Sequence, residues 1–290
     1  MTPYLQHQIA ALGSELSPQL IEATYRLLTP LAARPDSACG QICTDLPYGT
    51  HQRHKLDLYG TQSSGSRPVV VYIHGGSFVA GDKHGNGGPF FANVGAWAAA
   101  NGMIAAIPNY RLAPEHPYPA GRDDVLAVVR WLCANVAQFG GNPNAIFLVG
   151  QSAGATHVAD AVAELTRIGQ SATIAGAVML SGIYNPAACG RHPSLDAYYG
   201  TDLAARRAAA SLPGLLDTSI PCLFALAEFD PPMFQEQAVE LVAEYTAKHG
   251  RWPNLHRLPH HNHLSPALLL GAESEDDVGS ILCEFILSDK

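Results

Sequence analysis

The stretch "FLVGQSAGATH" (residues 147–157) sets one serine, Ser152, between Gly150 and Gly154. An apolar run precedes it and a helical pattern follows it, which is where a strained turn can lift a serine hydroxyl above a sheet. A hydroxyl attacks a carbonyl only when a base removes its proton, and the base needs a carboxylate to orient it. Two acids are offered by "AEFDPP": Glu228 lies within a strand pattern, and Asp230 stands at its end before Pro231, the better place for a loop residue. Three bases are offered by "LPHHNHLSP": His260, His261 and His263. Acyl transfer also needs donors for a tetrahedral oxyanion. The glycines of "IHGGSF", Gly75 and Gly76, let backbone N–H groups approach a ligand, and the N–H of Ala153 would join them. Phe78 and Gln151 are the expected pocket-lining residues, with Phe78 narrowing the site toward short acyl chains. The H-x-H and H-H spacing also resembles a metal-ligand cluster. No acidic or cysteine ligand accompanies it at tight spacing, so no metal and no cofactor are expected.

Elements must position these groups. "RPVVVYIHGG", "MIAAIPNY", "AIFLVG", "GAVMLSG" and "PCLFALAEFD" are continuously apolar and β-rich, as expected of strands covered on both faces. "HKLDLYG" alternates, which suits a half-buried antiparallel strand. Helical patterns occupy 121–140, the segment after Ser152, 233–250 and the C-terminal "DDVGSILCEFIL", with "ESEDD" an acidic helix start. Strands alternating with helices predict an α/β architecture with a mostly parallel central sheet and helices on both faces. Residues 4–33 read as helix, so the expectation is a single domain over 1–290 with 1–40 as an N-terminal helical cap segment. Residues 184–219 read as an irregular insertion. Arg111 is expected to pair with Asp123 or Asp124, and His74 to bond at a strand end.

The 290 residues are 47% hydrophobic and 14% charged, enough to build a sizeable core. A net charge of −8 argues against a nucleic-acid partner, since phosphate binding needs clustered Lys and Arg. No membrane span and no secretory leader are read. The six cysteines form no C-x-x-C pair, and Cys133, Cys222 and Cys283 are expected to pack as small buried side chains. A reduced, cytoplasmic protein is the simplest account. A homo-oligomer is compatible with the composition.

"HGGSFVAGDK", "NYRLAPEHPYPAGRDD", "GQSAG", "EFDPP" and "HNHLS" together resemble the α/β-hydrolase superfamily. They are more similar to its esterase branch related to hormone-sensitive lipase. "DLPYGTHQRHKLDLYG" resembles the short opening hairpin of a neighbouring group that includes kynurenine formamidases and small carboxylesterases. The resemblance spans roughly Leu46 to Ile286. It implies the α/β-hydrolase fold, with catalytic residues in the order Ser, acid, His. It further implies Ser152, Asp230 and His263 as the triad, Gly75, Gly76 and Ala153 as the oxyanion hole, and a small-molecule ester as the substrate. The Leu and Ser after His263 single it out from its neighbours. Gln151 and Ala155 depart from the common pattern, which leaves the substrate subgroup open. The alternatives are an arylformamidase-type amidase and a non-catalytic ligand-binding receptor.

Overall fold

The β-branched run of "RPVVVYI" buries both of its faces. Val69, Val71 and Ile73 enter one core, while Val70 and Tyr72 enter another on the opposite side. Such a strand belongs at the centre of a covered sheet. In the computed structural model, which describes residues 1–35, 40–61, 65–85 and 87–288, it is β3 (Arg67–Ile73) of an eight-stranded sheet. The others are β1 (Gln41–Pro47), β2 (Lys55–Tyr59), β4 (Ile104–Pro108), β5 (Gly141–Gln151), β6 (Gly176–Leu180), β7 (Cys222–Phe229) and β8 (Leu255–Asn262). Their order is β1-β2-β4-β3-β5-β6-β7-β8. β2 pairs antiparallel with both β1 and β4, and the remaining pairs are parallel. The mostly parallel α/β reading therefore holds, and "DLPYGTHQRHKLDLYG" does form an antiparallel hairpin at the sheet edge.

The N-terminal segment is two helices rather than one. Helix α1 (Pro3–Leu12) ends at Gly13, whose φ of 79° breaks the spiral, and α2 (Pro18–Leu28) restarts behind the Ser17 cap. Residues 36–39, which include Cys39 and precede the expected end of this segment at residue 40, fall outside the described residues. Helix α3 (Ala92–Ala100) was not anticipated. Helices α4 (Ala120–Asn135) and α5 (Ala153–Arg167) cover one face of the sheet. The stretch read as irregular carries three short helices, α6 (Pro193–Tyr199), α7 (Leu203–Ala208) and α8 (Leu212–Asp217). Helix α9 (Pro232–His249), the single turn α10 (Ser265–Leu268) and α11 (Val278–Leu287) complete the chain, and the acidic stretch does lead into α11. Cys133 is exposed, on the outer side of α4, and Cys222 and Cys283 are only partly buried. Among the described residues no helix is long and apolar enough to cross a membrane.

Candidate active site

The carboxyl ends of β3, β5, β6 and β7 converge on one place. Between β5 and α5 the backbone reverses at Ser152, with φ 56° and ψ −123°, a conformation strained for any residue with a Cβ. The flanking glycines follow from crowding. A Cβ on Gly154 would lie 2.0 Å from the Ile73 carbonyl oxygen, and one on Gly150 would lie 2.4 Å from the Gly154 oxygen. The Ser152 N–H donates to the Leu180 carbonyl at 2.9 Å, fastening the turn to β6.

Three of the residues singled out above meet in a hydrogen-bonded chain. Ser152 Oγ lies 2.8 Å from His263 Nε2, and His263 Nδ1 lies 2.5 Å from Asp230 Oδ1. A carboxylate only accepts, so its bond puts the ring proton on Nδ1 and leaves Nε2 free to take the serine proton. The other carboxylate oxygen, Asp230 Oδ2, accepts from Ser181 Oγ at 2.6 Å and from the Ala227 N–H at 2.7 Å. Asp230 and His263 are 3% and 2% exposed, so these bonds are shielded from competing water. The Phe234 ring covers the imidazole at a centroid distance of 4.3 Å.

The competing candidates lie elsewhere. Glu228 accepts from the His260 N–H at 2.7 Å and pairs with Arg257. His260 is exposed. His261 is buried but turned away, bonded to Ser265 Oγ at 2.8 Å and Asp277 Oδ1 at 2.7 Å. Among the described residues no cluster suited to a metal ion occurs.

Gly75 and Gly76 follow β3. Gly75 backs directly onto the nucleophile turn: a Cβ there would sit 2.6 Å from Gln151 Oε1 and 3.2 Å from Ser152 Cβ. Gly76, at φ 131°, would place a Cβ 2.0 Å from the Ala80 oxygen. Ala153 opens α5, so its N–H is among those that a helix leaves without an internal acceptor. Beneath them His74, pushed down to about 4 by burial, is neutral and bonds the Gly75 carbonyl through Nδ1 at 2.7 Å.

Ser152 stands between two cavities. One, of about 520 Å³, is walled by Phe78, Ala153, Ile183, Leu195, Met233 and Phe234. The other, of about 340 Å³, is walled by Gly75, Gly76, Tyr25, Gln151, His263 and Leu264. Leu16 and Ile21 from the N-terminal helical segment border both. Phe78 thus lies on the wall where it was expected, stacked on Tyr198 at 4.7 Å. Gln151 reaches a cavity wall, but its amide is otherwise engaged: Nε2 donates to the His263 carbonyl at 2.7 Å.

Several supporting residues were missed or left open. Ser181 was not singled out at all. Asn262 Oδ1 accepts the N–H groups of Leu264 and Ser265, and its Nδ2 donates to Thr24 Oγ1 at 2.9 Å, tying α2 to the loop that carries His263. The expected Arg111 pair is with Asp124, not Asp123. Asp124 is 1% exposed and accepts from the Arg111 N–H and from its guanidinium, with His54 Nε2 at 3.1 Å.

The chain belongs to the alpha/beta hydrolase fold family, whose profile matches residues 70–265. Over 102 residues it is 46% identical to carboxylesterase NlhH of Mycobacterium tuberculosis (strain H37Rv), covering 34% of this chain and 30% of that protein. Over 120 residues it is 38% identical to the probable isoprenylcysteine alpha-carbonyl methylesterase ICMEL1 of Oryza sativa subsp. japonica, covering 41% and 27%. The matched stretch thus spans less than a third of either relative's length. The fold is shared with esterase B from Lactobacillus rhamnosis at a TM-score of 0.77, with 17% identity over 98% of this chain and 96% of that one. It is shared also with the Pyrobaculum calidifontis esterase at a TM-score of 0.69, with 20% identity over 99% and 98%.

Proposed function

We propose that this chain is a serine carboxylesterase that hydrolyses small to medium acyl esters through an acyl-enzyme. The observation that carries the reading is the shielded hydrogen-bonded chain from Ser152 through His263 to Asp230, opening between two cavities. In this mechanism Ser152 Oγ attacks the ester carbonyl while His263 Nε2 takes its proton. The amides of Gly75, Gly76 and Ala153 receive the charge that builds on the carbonyl oxygen. His263 then protonates the departing alcohol, and Asp230 stabilises the imidazolium that exists between those steps. Water, deprotonated by the same imidazole, then attacks the acyl carbonyl; the bond to Ser152 Oγ breaks, His263 returns the proton to that oxygen, and the acid leaves. The esterase names of the similar proteins favour ester over formamide cleavage.

The test is hydrolysis of p-nitrophenyl butyrate by the wild type and by Ser152→Ala, together with mass-spectrometric mapping of a phosphonate label. The expected loss in kcat is roughly 10⁴–10⁶-fold, because the three residues act as a unit, with the label on Ser152. Wild-type turnover by Ser152→Ala would overturn the reading.

A further inference from the structure

We propose that Gln151 is a positioning residue that holds the catalytic imidazole and the oxyanion loop in one frame, and that this task requires a side-chain amide. The inference rests on the esterase reading above. Gln151 is the last residue of β5, next to the nucleophile, and is 3% exposed. Its Nε2 donates to the backbone carbonyl of His263 at 2.7 Å. Its Oε1 lies so close to Gly75 that a Cβ on that glycine would meet it at 2.6 Å. One amide therefore bonds the residue that carries the base and fills the space beside the first residue of the oxyanion loop, while its own backbone leads into Ser152.

The loop around His263 is fastened at several points. It leaves β8 at Asn262; the His263 ring is bonded to Asp230 and Ser152, and the neighbouring residues are fastened by His261 to Ser265 and by Asn262 to Thr24 and to the Leu264 and Ser265 N–H groups. Those hold the ring and the residues on either side. The Gln151 amide is what reaches the carbonyl of His263 itself. A carbonyl accepts, so its partner must donate. An amide donates at every pH. An ionised carboxylate of the same shape cannot, and it would set a negative charge against a carbonyl oxygen in a shielded place.

Two near-isosteric substitutions separate this role from pocket lining. Gln151→Met keeps the volume and removes the donor. It should lower kcat on p-nitrophenyl butyrate about tenfold, with KM within twofold and the ranking of acyl chain lengths unchanged. Gln151→Glu restores a donor only when protonated. With that carboxyl ionised the side chain cannot donate to the His263 carbonyl, so Gln151→Glu should lose at least as much kcat as Gln151→Met, again with KM within twofold. Active sites counted by phosphonate titration put each kcat on a per-folded-enzyme basis, so a smaller folded fraction does not alter the comparison. The proposal is overturned if Gln151→Met keeps wild-type kcat, if it changes KM or the acyl-chain ranking instead, or if Gln151→Glu keeps wild-type kcat. Should the wild type hydrolyse esters and Ser152→Ala not, the esterase reading stands whichever way Gln151 behaves.

Discussion

Ser181→Ala tests how much of the proposed catalysis depends on holding Asp230 still. The carboxylate receives three bonds: His263 on Oδ1, and Ser181 Oγ and the Ala227 N–H on Oδ2. The substitution removes one of the two that fix the far oxygen and leaves the nucleophile, base and acid in place. A hydrogen bond to a charged group contributes about 1.5–3 kcal/mol. The Ala227 N–H remains, so the carboxylate is loosened rather than stranded. If most of that energy is spent orienting the imidazole and stabilising its charge, kcat/KM should fall about 10- to 100-fold. That is well short of the loss in Ser152→Ala. The assay is steady-state hydrolysis of p-nitrophenyl butyrate, with active sites counted by phosphonate titration and thermal melting recorded beside it. Ser181 has φ 54°, and alanine must take the same backbone, so a small drop in Tm is expected and does not by itself explain a lower rate per titrated site. A variant with kcat/KM within twofold of wild type would refute the reasoning that the Ser181 bond sustains the acid.

The histidines should separate cleanly: His263→Ala should abolish turnover, while His261→Ala should melt earlier by loss of its bonds to Ser265 and Asp277 yet keep most of its rate per folded molecule. A dead His261→Ala beside an active His263→Ala would reverse the assignment. Asp160, in α5, is raised by burial from 3.8 to about 8, with Oδ2 lacking a hydrogen-bond partner among the described residues. The folded chain thus keeps a proton that the unfolded chain releases, so this group erodes stability as pH climbs from about 4 to about 8. Asp160→Asn should melt higher than wild type at pH 9, with the gap closing toward pH 4; a gap independent of pH would contradict this.

What could be read locally in the sequence was what local chemistry specifies. β3 and β5 announce themselves because they are apolar on both faces. The nucleophile turn does so because Gly150, Ser152 and Gly154 fall within five residues, with Gly150 crowded by the turn itself and Gly154 by the end of β3. Asp230 was legible because a strand pattern stops beside it. Helix α3 was not, because the buried residues from Asn93 to Ala99 run all round it and leave no amphipathic period to detect. The three helices between β6 and β7 are too short to show one. Ser181 was missed for a different reason: it follows β6, and only the neighbour order of β6 and β7 brings it to Asp230. Thr24 and Asn262, 238 positions apart, are likewise joined by packing alone. Gln151 was noticed as a neighbour of the serine, but its link to the His263 carbonyl depends on where β8 ends.

The contact between Gly154 and the Ile73 carbonyl joins two backbones with no side chain between them. Backbones have few ways to yield, so the start of α5 and the end of β3 are locked in register. The proposed nucleophile precedes Gly154 by two residues, and the proposed oxyanion donors Gly75 and Gly76 follow Ile73 by two and three. Neither group can drift relative to the other without opening that contact. The donors are then already aimed when charge starts to develop, and little dipole reorientation remains to be done on the way to the transition state. Preorganisation of this kind is settled during folding, by the absence of one methyl group.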